Sequence, residues 1–286
     1  MYEAFFGFRE APFNLTPDPK FLFMTPDQRE ALAYLTYGIQ ERKGIMVVSG
    51  EVGVGKTLLI RALMNQLDDS TATALVMNAM LTFNQLLRMA LIDFGLRPGA
   101  RDKVEMLVTL QRFLIELGEE GRNAVVIIDE AQNLTPAILE EFRLLSNFET
   151  STQKLIQIVL VGQPELKETL NSHRLRQLRQ RIPGICELYA LAPGGVSEYV
   201  RHRLRIASEG AATEIFSPEA LAAVATYSKG VPRVINSLCD RALLISYVLD
   251  QRQVGAESVR KAIVELEHGF QGGRPRSQAA AAGAGA

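Results

Sequence analysis

The stretch Gly50-Glu51-Val52-Gly53-Val54-Gly55-Lys56-Thr57 follows directly on the apolar run Ile45-Met46-Val47-Val48-Ser49 and precedes an amphipathic segment from Leu58 to Leu67. It fits the pattern G-x-x-x-x-G-K-[ST] in the strand–loop–helix context that the pattern requires. Glycines let backbone N–H groups turn inward around an anion, and the helix that opens at Leu58 points its positive dipole end at the same phosphates. Lys56 supplies a point charge to the β- and γ-phosphates, and Thr57 supplies a hydroxyl to Mg²⁺. A chance glycine-rich turn would lack this context, so the spacing predicts binding of a nucleoside triphosphate.

A second group of chemistry-bearing residues closes the run Ala124-Val125-Val126-Ile127-Ile128-Asp129-Glu130. A continuous apolar run of this length suits a central parallel strand covered on both faces. Its carboxyl end is where α/β sheets place ligands. Asp129 is expected in the Mg²⁺ shell, and Glu130 is expected to orient and polarise an attacking water. A solvated strand end is the plainer alternative, and the upstream phosphate loop argues against it.

The elements needed to hold these groups are legible in the same way. Strands are expected near 45–49, 74–78, 124–128, 155–161 and 185–190, with helices between them. A helix is expected from about Asp27 to Ile39. Phe83, Leu86, Leu87, Ala90, Leu91 and Phe94 repeat at helical spacing, as do Met106, Leu110, Phe113, Leu114 and Leu117. Strand–helix alternation implies a parallel sheet with helices on both faces. After Pro193-Gly194-Gly195 the pattern becomes helical only. Val196, Tyr199, Val200, Leu204 and Ala207 mark one helix, and Ser217-Pro218-Glu219 opens another with a capping serine. Val234, Ile235, Leu238, Ala242 and Ile245 mark a third, and Val259, Ala262, Ile263 and Leu266 a fourth. The expected division is a lead-in over 1–44 packing on the nucleotide domain, an α/β core over 45–192, a helical domain over 193–268 and a disordered low-complexity tail over 269–286.

Composition agrees with a folded enzyme. Of 286 residues, 47% are apolar and 22% charged, which excludes a disordered chain. A net charge of −1, from 31 basic and 32 acidic residues, gives no global attraction to nucleic acid or acidic membranes. Cys186 and Cys239 lie far apart and read as small buried hydrophobes, and His173, His202 and His268 show no metal-ligand spacing. No leader and no run near the ~20 apolar residues of a membrane span is visible, so the expectation is a cytoplasmic protein that reaches a membrane only through a partner.

A five-stranded parallel α/β core followed by a small helical domain, with these two motifs, resembles the AAA+ ATPases. The resemblance implies ATP and Mg²⁺ as ligands and several further site residues. Gln163, after the strand Leu155 to Val161, stands where the family places its first sensor, which hydrogen-bonds the water or γ-phosphate; an ordinary strand terminus is the alternative. Gly230-Val231-Pro232-Arg233 resembles the second sensor, whose arginine reaches the γ-phosphate. Cations suit helix carboxyl ends, so an arginine at a helix start asks for another reason to be there. The segment His173-Arg174-Leu175-Arg176-Gln177-Leu178-Arg179-Gln180-Arg181-Ile182 lies where AAA+ rings carry an arginine finger, with Arg181 and Arg179 as the candidates. Such a finger acts on the neighbouring subunit's site and raises rates by ~10³–10⁵ in the best cases. A solvated face is the alternative, and a nucleic-acid patch that includes Arg201, Arg203 and Arg205 ranks behind both.

Within that family, Met1-Tyr2-Glu3-Ala4-Phe5-Phe6-Gly7-Phe8, Pro12-Phe13-Asn14-Leu15-Thr16-Pro17-Asp18-Pro19, Asp129-Glu130-Ala131-Gln132-Asn133-Leu134, Leu144-Leu145-Ser146-Asn147-Phe148-Glu149-Thr150 and Gly162-Gln163-Pro164-Glu165-Leu166 look like the general secretion pathway protein A (ExeA-type) group, over about residues 1–268. Relatives in that group are tied to pilus and exopolysaccharide systems. The resemblance implies a nucleotide-dependent homo-oligomer, ring-forming in the family, that couples ATP turnover to envelope or secretion-complex assembly through an inner-membrane or envelope partner. ExeA-type proteins continue into a transmembrane helix and a periplasmic peptidoglycan-binding domain. This sequence shows neither, so the resemblance does not carry peptidoglycan binding to it, and the shorter pilus- or exosortase-associated relatives are nearer in plan. The alternative reading is a DNA-binding transposition-type AAA+ regulator. The near-neutral charge counts against it, because phosphate contacts need clustered cations.

Overall fold

Three continuous apolar runs become the middle of one sheet, because only a strand covered on both faces has no use for polar side chains. The computed structural model describes residues 1–16, 18–77, 79–97, 102–210 and 214–271, with side chains as far as His268. In chain order the elements are α1 (Tyr2–Phe6), α2 (Pro26–Gln40), β1 (Ile45–Gly50), α3 (Lys56–Gln66), β2 (Thr71–Val76), α4 (Phe83–Asp93), α5 (Lys103–Glu119), β3 (Asn123–Ile128), α6 (Pro136–Leu145), β4 (Gln157–Gly162), α7 (Pro164–Leu170), α8 (Arg176–Arg179), β5 (Ile185–Leu188), α9 (Pro193–Ala207), α10 (Pro218–Ser228), α11 (Pro232–Val248) and α12 (Ala256–Gln271). Single turns of 3-10 helix stand at Pro19–Phe21, Ala131–Asn133 and His173–Leu175.

The chain divides into two units. One holds Thr16–Leu191 together with Val231–Arg233, and the other holds Met1–Leu15, Ala192–Gly230 and the chain from Val234 onward. The first unit is built on a five-stranded sheet of order β2-β3-β4-β1-β5, with every pairing parallel. Successive side chains of a strand face opposite ways, and the cores follow that rule. Ile45 and Val47 of β1, with Val126, Ile128, Ile158 and Leu160, pack with α4 to α8 on one face. Met46 and Val48, with Val125, Ile127, Val159 and Val161, pack with α2 and α3 on the other. Each such side chain contributes roughly 1.5–3 kcal/mol when fully buried. The helices start where the sequence caps them. Thr25 and Thr82 each form a reciprocal capping box, with Gln28 and Gln85, and Thr135 caps α6 through the N–H of Ile138.

In the second unit α10 packs against α9 and α12. The stripe Val196, Tyr199, Val200, Leu204 and Ala207 is buried as its spacing predicts. Two corrections to the sequence reading come from this unit. First, the lead-in does not act as one body on the α/β core: Met1–Leu15 cluster with the helices, and the sheet unit begins at Thr16. Arg203 supplies one of the ties. It is buried, donates from Nε to the Pro12 carbonyl at 2.5 Å and from Nη2 to the Asn14 carbonyl at 3.3 Å, and gives Nη1 to the Tyr199 hydroxyl at 2.9 Å. The Tyr2 hydroxyl donates to Asp240, and burial together with that carboxylate pushes the Tyr2 phenol well above its ordinary value. The Arg252 guanidinium lies 4.0 Å over the Phe5 ring. Second, Arg203 therefore belongs to no surface patch, although Arg201 and Arg205 are exposed. At the other end, α12 runs to Gln271, past the expected boundary at 268, and the rest of the expected tail lies outside the described residues. Among the described residues no helix is long and apolar enough to cross a membrane.

Candidate active site

Parallel strands β1, β3 and β4 end side by side, and their carboxyl ends carry the residues singled out by the sequence. The loop after β1 needs glycine at two points. Gly53 has φ 82° and Gly55 has φ 109°, values that a side chain would strain. A Cβ on Gly53 would also stand 2.7 Å from the Cβ of Arg233 and 3.1 Å from Val231 Cγ1. Val231–Arg233 thus lie directly on the loop, and the Arg233 N–H donates to the Gly53 carbonyl at 3.3 Å. Expected as the second sensor, Arg233 is brought to the loop by its backbone.

Lys56 opens α3 and is buried, with Nζ donating to the carbonyls of Gly50 at 2.6 Å and Glu51 at 3.0 Å. Burial pulls its ammonium below the ordinary lysine value, while Glu130, Asp129, Glu51 and Glu165 pull the other way. Thr57 Oγ1 donates to Asp129 Oδ2 at 3.1 Å, which brings the two expected Mg²⁺ ligands together. Asp129 is 4% exposed, and burial raises its carboxyl above the ordinary value against the opposing pull of the Glu130 N–H, Thr57 and Lys56. A hydroxyl and one carboxylate are hard oxygen donors, and Mg²⁺ commonly takes one or two protein ligands with the rest from phosphate and water. The donor set fits that ion. Among the described residues no group of three or more His, Cys, Asp or Glu side chains is placed to hold a metal.

Glu130 follows β3 with φ 55°, a left-handed conformation that costs a non-glycine residue roughly 1–2 kcal/mol. Its side chain is tied down. Oε2 accepts from Gln132 Nε2 at 2.6 Å and from Gln163 Nε2 at 3.3 Å, and Gln132 Oε1 in turn accepts from the Gln163 N–H at 3.0 Å. Gln163, expected as the first sensor, therefore stands beside Glu130. Gln132 closes the triangle, and sequence reasoning used it only as part of a family motif. Gln28 was missed altogether. Buried in the first turn of α2, it donates from Nε2 to the Val54 carbonyl at 3.3 Å. The Thr25-Pro26-Asp27-Gln28 stretch signals a capping box and carries no signal for that second contact.

Val52 and Glu51 are exposed at the loop tip, Val54 is buried, and Leu58 is half-buried on α3. The finger candidates lie elsewhere in the sheet unit. Arg179 and Arg181 are both exposed. Arg179 Nη1 donates to the Ile182 carbonyl at 3.3 Å, and Arg181 Nη1 donates to Ser146 Oγ at 3.1 Å and to Asn147 Oδ1.

Comparison with known proteins bears on the family and the fold. Residues 39–170 match the AAA domain family. The chain is 41% identical over 267 residues to General secretion pathway protein A of Aeromonas hydrophila, a match that covers 93% of this chain and 48% of that protein. It thus spans about half the length of that curated relative. Among solved structures it is similar to the ORC2 protein of Aeropyrum pernix in ADPNP–ADP complexes, with TM-score 0.69 and 18% identity over 93% of this chain and 75% of that one. Cdc6p of Pyrobaculum aerophilum gives TM-score 0.65 and 19% identity over 95% of this chain and 74% of that one. At such identities the likeness is one of fold: a five-stranded P-loop core followed by helices.

Proposed function

The chain belongs to the AAA+ family, and from that premise we propose that it binds ATP with Mg²⁺ and hydrolyses it, using the turnover to drive assembly of a bacterial envelope or secretion complex. The observation that carries the enzymatic reading is the convergence at three strand ends of Lys56, the Thr57–Asp129 pair and a Glu130 held by two glutamine amides. The Gly50–Thr57 loop and Leu58 hold the phosphates, and Lys56 exchanges its two backbone carbonyls for β- and γ-phosphate oxygens. Thr57 and Asp129 would hold Mg²⁺, which would supply positive charge to neutralise the phosphates. Glu130 Oε2 is engaged by Gln132 and Gln163, so Oε1 accepts the proton of the water whose oxygen attacks the γ-phosphorus. As that bond forms, the bond to the bridging oxygen breaks and ADP leaves with the electron pair. Gln163 positions the water, while Arg233 and a neighbour's Arg181 or Arg179 meet charge that develops on the γ-phosphate.

The biological part rests on relatedness to General secretion pathway protein A, whose name places that protein in a secretion pathway. It includes a nucleotide-dependent homo-oligomer, an envelope partner, and a cytoplasmic location peripheral to the inner membrane. The likeness to ORC2 and Cdc6p carries no DNA binding to this chain.

Two substitutions test the enzymatic reading. Lys56→Ala is expected to abolish ATP binding in isothermal titration with an unchanged circular dichroism spectrum; unchanged affinity would sink the phosphate-loop assignment. Glu130→Gln keeps the shape of the side chain and loses its proton-accepting power, so ATP should still bind while turnover falls by ~10²-fold or more. Near wild-type turnover would reduce Glu130 to a strand-end acid.

A further inference from the structure

We propose that Gln28 is a positioning residue for the phosphate loop, an inference that rests on the nucleotide-binding reading above. Its amide serves two structures at once. Oε1 accepts from the Thr25 N–H at 3.2 Å and the Gln28 N–H donates to Thr25 Oγ1 at 3.1 Å, which closes the capping box of α2. The other end of the same amide, Nε2, donates to the Val54 carbonyl at 3.3 Å. Val54 is buried between Gly53 and Gly55, the two glycines whose positive φ turns the loop. Fixing the Val54 carbonyl fixes the peptide plane that it shares with the Gly55 N–H, and with it the direction of that donor in the loop. The approach is close: a Cβ on Gly55 would meet Gln28 Nε2 at 3.0 Å. Gln28 is 7% exposed and its rotamer is held by the capping box, so the donor reaches the loop already oriented. A cradle set before the nucleotide arrives binds more tightly than one that must be ordered by it.

The two roles come apart by substitution. Gln28→Met removes both, Thr25→Ala removes its share of the cap and leaves Nε2, and Gln28→Glu keeps an acceptor for the cap while replacing the donor that faces Val54. Affinity for ATP and for GTP is measured by competition with a fluorescent ATP analogue on the full chain, with kcat at saturating ATP and melting of the nucleotide-free protein alongside. Gln28→Met and Gln28→Glu are expected to weaken ATP and GTP by the same factor, about tenfold, with kcat at saturation close to wild type. Thr25→Ala should lower the melting temperature and leave affinity alone. Wild-type affinity in both Gln28 variants overturns the inference. So does an affinity loss in Thr25→Ala equal to theirs, which would make the cap responsible. Unequal losses for ATP and GTP overturn it too, by placing Gln28 on the base. If the wild-type chain binds no nucleotide, the underlying reading falls with it. If the wild type binds, Lys56→Ala does not, and the Gln28 variants match wild type, the inference alone fails.

Discussion

Asp129 is a carboxyl that the fold keeps out of water although its chemistry needs it charged. Burial raises its pKa in the folded state, with the Glu130 N–H, Thr57 and Lys56 opposing. A carboxyl whose folded value lies above its unfolded value adds stability below the unfolded value and loses it as pH rises through the folded one. At neutral pH the ionised Asp129 of the nucleotide-free protein therefore works against folding. Asp129→Asn is expected to melt higher than wild type at about pH 8 and to have a smaller advantage at about pH 5, because protonation of the raised carboxyl removes its unfavourable charge as pH falls. The same variant should lose turnover by ~10²-fold or more, because the amide is a poor Mg²⁺ ligand. Calorimetry at the two pH values checks the first part; a variant less stable than wild type at the higher pH would show that Asp129 is fully compensated by its partners. Lys56 is displaced in the opposite sense by the same burial, so each group carries a charge that burial disfavours and that phosphate and Mg²⁺ would offset in the proposed reading. Local signals were enough to find these two residues and Glu130, because a strand and the turn after it are written in consecutive positions. Gln28 was out of reach: its contact spans 26 residues and exists only because α2 packs beside α3.

At the scale of elements, the end of β4 shows how a strand is made to deliver a side chain. Gly162 pairs with Ser49 of β1, and a Cβ there would stand 2.9 Å from Leu166 Cδ2, 3.0 Å from Gln132 Oε1 and 3.1 Å from the Gln132 backbone nitrogen. The leucine tip can give way, but the Gln132 nitrogen belongs to the turn that holds Glu130. Gly162→Ala is expected to cost ~1–3 kcal/mol by urea denaturation and to lower turnover by loosening the Gln132–Gln163–Glu130 triangle. Wild-type stability and turnover together would show that the turn moves freely. Element type was readable where apolar runs are continuous, and boundaries were poorer at the edges. The second strand, expected at 74–78, is Thr71–Val76, an edge strand that pairs only with β3 and whose Thr-Ala-Thr-Ala start has no apolar run to mark it. The fourth, expected from 155, begins at Gln157, because Lys154 bridges to Glu149 and the Leu155 N–H bonds to the Phe148 carbonyl in a turn. The fifth stops at Leu188 and not at 190. Helix α7 follows from Pro164 at its first position, a start signal that the sequence reading absorbed into a family motif.

For the whole molecule, what sequence could not show was long-range membership. The aromatic start and α9 lie about 190 residues apart, and nothing local to either says that Arg203 reaches the Pro12 and Asn14 carbonyls. The arginines before β5 raise the same question across chains. Arg179 and Arg181 are exposed, and Arg181 is tethered to Ser146 and Asn147 by a neutral hydroxyl and a neutral amide. Those hydrogen-bond partners are neutral, and the charge of Arg181 also helps to lower the Glu149 carboxyl; an exposed guanidinium held in this way can still turn to an anion supplied by a neighbour. If a finger from one subunit completes the site of the next, an isolated subunit is catalytically incomplete. Turnover per subunit should then rise with protein concentration, and ATP with Mg²⁺ should shift the chain toward oligomers in light scattering. Arg181→Ala, or Arg179→Ala if that residue is the finger, should keep ATP affinity roughly unchanged and remove most of the turnover along with its concentration dependence. Mixing the alanine variant with Lys56→Ala protein should restore part of the activity, because a site with an intact loop can then face an intact arginine. Specific activity that stays flat on dilution, together with a monomer in ATP, would leave both arginines as a solvated or partner-binding face.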